Sequence, residues 1–146
     1  GTPVRVLSEV SVAYPAWTRS TSYSTDWEFL APAGSWDEIV PVDLLNVDYG
    51  VIPQMSDLNA TGRSVRLNLG ILDAVGDRAA GVTSVRVWVS GDRGVTWSEA
   101  KVSGTGSQRS VTVQAPKGAV SVSLKVTAST ARATVTDTVL DAVGLR

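Results

Sequence analysis

The sequence predicts an all-β fold, and three observations carry this prediction. Apolar and polar residues alternate with a period of two over several stretches, as expected of strands that have one buried face and one face in water. Residues that favour turns, above all glycine, proline and asparagine, separate these stretches. Valine, threonine and serine are abundant, whereas the sequence has only one methionine, which favours strand over helix.

Five alternating rows predict five strands directly. They lie at residues 4–12, 23–29, 65–71, 85–89 and 120–126. Residues 39–49 form a further apolar segment, whose alternation shifts phase at Leu44-Leu45 and therefore predicts a β-bulge there. We expect roughly nine strands in an antiparallel two-sheet β-sandwich, fibronectin-like or jelly-roll-like. No repeat or linker divides the chain, so residues 1–146 are expected to form one domain.

Composition excludes several classes of function. The 146-residue chain has a formal net charge of −1 and its basic residues are spread singly, so it offers no charged patch for nucleic acid. No apolar run approaches the roughly 18 residues that a membrane span requires. The absence of histidine and cysteine removes imidazole and thiol catalysis, zinc-thiolate sites and disulfides. We expect a monomeric, non-enzymatic domain that binds neither nucleic acid nor membrane.

The most specific motif spans residues 90–97, where the sequence matches the Asp-box pattern Ser-x-Asp-x-Gly-x-Thr-Trp at every defined position. An aspartate that accepts backbone N–H bonds, a glycine with positive φ and a tryptophan packed between the arms would together close a β-hairpin. The residues assigned to this structural role are Ser90, Asp92, Gly94, Thr96 and Trp97. The motif is typical of secreted β proteins, in which it lies away from the catalytic groups, so it predicts an extracellular location.

Two tryptophans are candidate ligand contacts. Trp36 follows Gly34 and Ser35 in a predicted loop, and Trp88 lies on the polar face of the predicted strand at residues 85–89. An exposed indole on a β-sandwich can stack on a sugar ring, whereas half-buried packing is the competing interpretation. Binding of carbohydrate, or adhesion, as an extracellular module is therefore one candidate function, and it is the alternative to the accessory role described below.

Acidic residues suggest a metal site without defining one. Carboxylates concentrate in one region and could supply the oxygen ligands that calcium prefers. These residues are Asp37, Glu38, Asp43, Asp48 and Asp57. No Asp-x-Asp-x-Asp-Gly loop is present, so no cofactor is assigned and calcium binding is left open.

Three other carboxylates could be interpreted as catalytic, but a structural role is the simpler interpretation and is favoured. Asp26 and Glu28 flank Trp27 at alternate positions, as two outward charges on a strand ordinarily do. Asp137 is in phase with Val135, which points its carboxylate toward the core, and we expect it to pair with an arginine or with backbone amides. No catalytic residue is predicted.

An ordered set of segments carries a family resemblance. The segments are residues 19–29 with Trp27-Glu28-Phe29, residues 44–49, residues 86–97, residues 114–118 followed by 120–126, and residues 142–146. Together they resemble the C-terminal β domain of large secreted subtilisin-like serine proteases of actinobacteria. In that family the Asp-His-Ser triad lies in the upstream protease domain and the C-terminal β domain is an accessory.

The resemblance implies a function without catalysis for this chain. Its partner would be the upstream protease domain of the same polypeptide, with a protein substrate or a cell-surface component as further contacts. A role in folding or stability of the parent enzyme is equally consistent with the resemblance. None of the family's catalytic residues can be carried onto this sequence, which agrees with the absence of histidine.

Overall fold

The computed structural model describes residues 1–12, 19, 22–34, 37–50, 55–56, 59–60 and 62–145. This part of the chain forms twelve strands and contains no helix long and apolar enough to cross a membrane. The strands are β1 Thr2–Ser11, β2 Ser22–Ala31, β3 Asn46–Asp48, β4 Met55–Ser56, β5 Asn59–Ala60, β6 Ser64–Leu72, β7 Ser84–Ser90, β8 Ser98–Ala100, β9 Val102–Ser103, β10 Gln108–Gln114, β11 Ser121–Ser129 and β12 Ala133–Leu145.

The strands form two sheets. The large sheet has the order β1-β2-β12-β11-β7-β8, and the short strands β4 and β5 attach to it through a parallel pairing of β5 with β12. The small sheet has the order β3-β6-β10-β9. All described pairings except that of β5 with β12 are antiparallel.

The predicted all-β, two-sheet fold is confirmed. Each of the five alternating rows lies on a long strand, namely β1, β2, β6, β7 or β11. The strand number is higher than expected because five strands have only two or three residues, which is too short for periodicity to be visible in the sequence.

The main core lies between the small sheet and strands β7, β11 and β12. Val87 of β7 and Val126 of β11 are fully buried and belong to one cluster with Leu67 of β6 and Val111 of β10. Burying one such side chain contributes about 1.5–3 kcal/mol, so this layer supplies most of the stabilisation. A second cluster lies around Ile71 nearer to β2.

The expected bulge at Leu44-Leu45 is wrong. Residues 39–45 form no strand, and pairing with β6 begins only at Asn46. Leu45 is buried and its carbonyl oxygen accepts a hydrogen bond from the Trp27 indole, 2.9 Å away, so this segment covers the inner face of β2 as irregular chain. The alternating sequence pattern at residues 39–45 therefore does not mark a strand. The Leu45 carbonyl accepts its hydrogen bond from a side chain and not from a neighbouring strand.

A register shift that was not predicted occurs between β11 and β12. Val122 pairs with Val143 but Leu124 pairs with Val139, so Ser123 lies opposite three residues of β12. Asp141, in the middle of those three, has a φ of 50°, which is uncommon outside glycine.

Candidate functional site

The Asp-box forms the loop that joins β7 to β8, as predicted. The carboxylate of Asp92 accepts hydrogen bonds from Thr96 N at 2.9 Å, from Thr96 Oγ1 at 2.6 Å and from Ser90 Oγ at 2.7 Å. Ser90 Oγ in turn accepts a bond from Gly94 N at 2.8 Å. The serine and aspartate of the motif therefore bond to each other and to the loop, as in a turn and not as in a reaction centre.

The loop also depends on backbone conformations that favour glycine. Gly94 has a φ of 86°, which confirms the predicted positive value, and Arg93 beside it has a φ of 58°. A Cβ atom added to Gly94 would lie 3.2 Å from Leu140 Cδ2 and 3.2 Å from Trp97 Cζ2. Both the torsion angle and the close packing therefore select glycine here.

Electrostatics match this geometry. The hydrogen bonds from the Thr96 hydroxyl, the Thr96 N–H and the Ser90 hydroxyl lower the pKa of Asp92 from 3.8 to about 2. Asp92 itself is exposed, so the shift comes from hydrogen bonding to the charged form and not from a buried charge partner.

A buried polar cluster lies directly under the Asp-box loop. Ser90 and Ser123 are opposite each other on β7 and β11, on the face that points away from the core, yet both are buried. Asp141 is also buried, accepts a bond from Ser121 Oγ at 2.6 Å and donates its own N–H to Ser123 Oγ at 3.0 Å. Its Oδ2 lies 3.2 Å from Nε of Arg93 in the loop. The ion pair between Arg93 and Asp141 thereby attaches the loop to β12 at the register shift.

Sequence reasoning missed Arg93 and Asp141. Arg93 occupies a variable position of the motif, so the pattern assigns it no role. Asp141 interrupts the apolar run from Val139 to Val143, and that interruption was the one available signal. Its meaning depends on the register shift, which the sequence does not reveal.

Tryptophans and cations form an outer-face cluster next to the loop. We define the outer-face cluster as Arg86, Trp88, Trp97 and Lys125. The Lys125 ammonium lies 4.6 Å from the centre of the Trp97 ring and 5.3 Å from that of Trp88, and the Arg86 guanidinium lies 4.7 Å from the Trp88 ring centre. Both indoles are half-buried. Trp88 thus lies beside the Asp-box, whereas Trp36 lies outside the described residues.

The cations of this cluster differ in their acidic partners. Arg86 pairs with Glu99 across β7 and β8 at 2.8 Å, which raises the pKa of Arg86 and lowers that of Glu99. Lys125 makes no ion pair among the described residues, and its charge is held by the faces of the two rings.

Three further acidic residues, Asp26, Glu28 and Asp43, are held in ion pairs with two arginines. Asp26 is held by Arg5 through three hydrogen bonds of 2.5 to 3.1 Å, and this arginine lowers the carboxyl pKa. Glu28 is 3.8 Å from the same arginine. Asp43 pairs with Arg132 at 2.6 Å.

The candidate calcium ligands do not form a metal site in the part of the chain that the structure describes. No group of three or more carboxylates suited to a metal ion occurs there, and Asp57 lies outside the described residues. Asp48 accepts a bond from Gly50 N at 2.9 Å in a local turn, while Asp37 and Glu38 are exposed.

Asp137 has different partners from those expected. Its hydrogen-bond donors among the described residues are hydroxyl groups: Thr25 Oγ1 and Tyr49 Oη each donate to its carboxylate at 2.7 Å. Burial of the Tyr49 phenol, together with the Asp137 charge, raises the pKa of Tyr49 well above its usual range. Hydroxyl groups from β2 and from the residue after β3 reach this carboxylate because the two sheets approach each other here.

A groove of about 480 Å³ lies at the other end of the sandwich from the Asp-box. Its lining includes Leu44, Val75 and Ala131, and Val75 is 83% exposed. The turn at residues 130–132 lines this groove and a neighbouring one that Pro3 of β1 also lines. The start of β1 therefore lies close to the groove.

Comparison of this chain with protein-family models, with curated proteins and with solved structures found no match.

Proposed function

We propose that this domain is a non-catalytic accessory module of a secreted subtilisin-like serine protease. It would act by contacting the protease domain, a protein substrate or a cell-surface component, or by stabilising the parent enzyme. The closed hydrogen-bond set of the Asp-box carries the proposal. Its serine and aspartate, the residue types that a hydrolase would use, hold the loop and each other.

The position of the resembling segments supports the same proposal. Residues 19–29 lead into and include most of β2, residues 86–97 cover β7 with the Asp-box, and residues 120–126 enter β11. The resemblance therefore runs along the strands that build the large sheet and along its most specific loop, and is not confined to one hairpin.

The groove of about 480 Å³ that Val75 lines is the best-suited contact surface for a preceding domain. A domain joined ahead of Gly1 would emerge next to the start of β1, whose Pro3 lines the neighbouring groove. An apolar, exposed side chain such as Val75 can be buried by a partner at little cost in desolvation.

The parent polypeptide provides the test. The coding sequence in frame ahead of Gly1 should encode a subtilisin-like domain with its own Asp-His-Ser triad, and a fluorophosphonate probe should label a serine there but none in this chain. An unrelated upstream sequence, or stoichiometric labelling of a serine within residues 1–146, would contradict the proposal.

A pair of matched variants tests the contact surface. In the parent protease, Val75→Lys should shorten the half-life of thermal inactivation or lower kcat/KM on protein substrates, as deletion of this domain would. Val120→Lys is the control, because Val120 is 75% exposed and immediately precedes β11, at the other end of the sandwich. Equal effects of the two variants would remove the groove from the proposal.

One observation favours the second candidate, a carbohydrate-binding module. The ring centres of two indoles lie within 5.3 Å of one ammonium, which has no acidic partner among the described residues. Soluble polysaccharides should then quench tryptophan fluorescence, and Trp88→Ala should abolish the quenching. Trp27→Phe is the control, since Trp27 contacts the chain at Leu45 on the inner face. A flat titration over a broad glycan panel would reject this candidate.

A further inference from the structure

Among the described strands, β1 is an open edge of the large sheet. It pairs with β2 over all ten of its residues, from Thr2 opposite Ala31 to Ser11 opposite Ser22, and no other described strand pairs with it. An edge strand presents unpaired backbone N–H and C=O groups, and proteins usually shorten, bend or cover such an edge. The register of β1 is long and uninterrupted, so this edge is suited to receive another strand.

The hydrogen bonds of β2 define which backbone groups of β1 face the open side. Leu30 N donates to Arg132 O at 3.1 Å, so Leu30 directs its backbone groups toward β12. Because these directions alternate along a strand, the odd-numbered residues of β2 face β1, where their partners are even-numbered. The odd-numbered residues of β1, among them Arg5, Leu7 and Glu9, therefore direct their backbone groups to the open side.

The sequence of β1 is complementary to itself in one antiparallel register. When Leu7 lies opposite Leu7 of a second copy, Arg5 lies opposite Glu9 twice by symmetry. Val4 then lies opposite Val10 on the other face of the sheet. Directly opposite residues share a face and interact, and opposite charges stabilise such pairs. A twofold axis at Arg5 or at Glu9 would instead place like charges directly opposite each other.

The side chains that this pairing needs are accessible. Leu7 is 55% exposed and Val6 is 45% exposed, which is high for apolar residues in the middle of a strand. Glu9 is exposed and makes no ion pair among the described residues. Arg5 is held on the outer side by Asp26, so its charge lies on the same face as Leu7 and Glu9.

We infer that β1 is a self-association surface, and that two copies of this chain pair antiparallel through β1 about a twofold axis at Leu7. Each of the three central residue pairs exchanges two backbone hydrogen bonds, and the two large sheets join into one. The interface is isologous and closed, which gives a dimer and not a fibre. A monomer, which composition suggests, is the competing outcome. The inference is independent of the proposed function, because it concerns a different surface.

A single-cysteine variant tests the register. The sequence has no cysteine, so Leu7→Cys introduces the only thiol. In a directly opposite, hydrogen-bonded antiparallel pair the Cα atoms are about 5.5 Å apart, which lies within the Cα–Cα range of disulfides. Mild oxidation should convert most of Leu7→Cys to a covalent dimer. Val120→Cys, which is more exposed than Leu7 but lies outside the strands, should remain largely monomeric under the same oxidation.

Sedimentation equilibrium of the uncrosslinked chain provides the second measurement. The unmodified chain should show a concentration-dependent dimer, and Leu7→Lys should raise its dissociation constant at least roughly tenfold, since a lysine on an edge strand blocks pairing. Glu9→Arg should also weaken the dimer, whereas Asp77→Arg, the same charge change on an exposed turn, should not. A monomer at every concentration, or a dimer that Leu7→Cys fails to crosslink, would overturn the inference.

Discussion

The two halves of the large sheet have the same sequence pattern and opposite surroundings. Val85, Val87 and Val89 of β7 recur at every second position, as Val4 and Val6 of β1 do, and both rows form strands. Val87 is fully buried by the small sheet, whereas Val6 is 45% exposed. Near the Asp-box, the half of the sheet that contains β7 is covered on its outer face as well.

The difference shows what strand periodicity does and does not determine. Alternation fixes which residues share a face, because the side-chain period of a strand is two. It does not fix which face another layer will cover. The small sheet, with only four strands, packs over β12, β11 and β7, and so leaves β1 and the outer part of β2 as an open edge.

The same substitution made in the two halves should show the largest contrast. Leu124 in β11 is 2% exposed and Leu7 in β1 is 55% exposed. Leu124→Ala should lower the free energy of unfolding by about 2–5 kcal/mol, since it leaves a cavity. Leu7→Ala, measured at dilute concentration, should stay within about 0.5 kcal/mol. Urea unfolding measures both, and comparable losses would contradict the division of the sheet into a covered and an open half.

Two glycines test how closely the Asp-box loop covers the outer face. Gly94 and Gly76 both have positive φ, but a Cβ atom meets Leu140 and Trp97 at Gly94 and nothing within 4 Å at Gly76. Both Gly→Ala variants carry the cost of a left-handed residue, so their difference isolates packing. Gly94→Ala should be more destabilising than Gly76→Ala by about 1 kcal/mol, as judged by thermal unfolding. Equal losses would mean that the loop lies loosely on the sheet.

The smallest expected effect is the pH dependence of the Asp92 contribution. The pKa of Asp92 is lowered to about 2 in the folded chain from 3.8, so the ionised form stabilises the fold. The denaturant midpoint of the unmodified chain should exceed that of Asp92→Asn above pH 4. The gap should close as the pH falls toward 2, where Asp92 becomes protonated in the folded chain too. A gap that persists at pH 2 would mean that the charge is not what holds the loop.

Local structure is predicted well from the sequence, whereas long-range placement is predicted poorly. The Asp-box could be assigned down to the positive φ of Gly94 because all its partners lie within a few residues. The hydrogen-bond partners of Asp137 and Asp141 could not be predicted, because they lie on other strands and, for Asp141, depend on a register shift. Trp88 was identified as a ligand candidate, but its contact with Lys125 depends on the pairing of β7 with β11.

Hydrogen exchange measured residue by residue tests the central contrast most directly. In a dilute sample the amides of Arg5, Leu7 and Glu9, directed to the open side, should exchange rapidly, while those of Val6 and Ser8, directed to β2, exchange slowly. Amides of β7 and β11 should be the slowest, since neighbours pair with both sides of these strands. Slow exchange of all β1 amides in the dilute sample would mean that the edge is already covered within one chain, and would contradict the account.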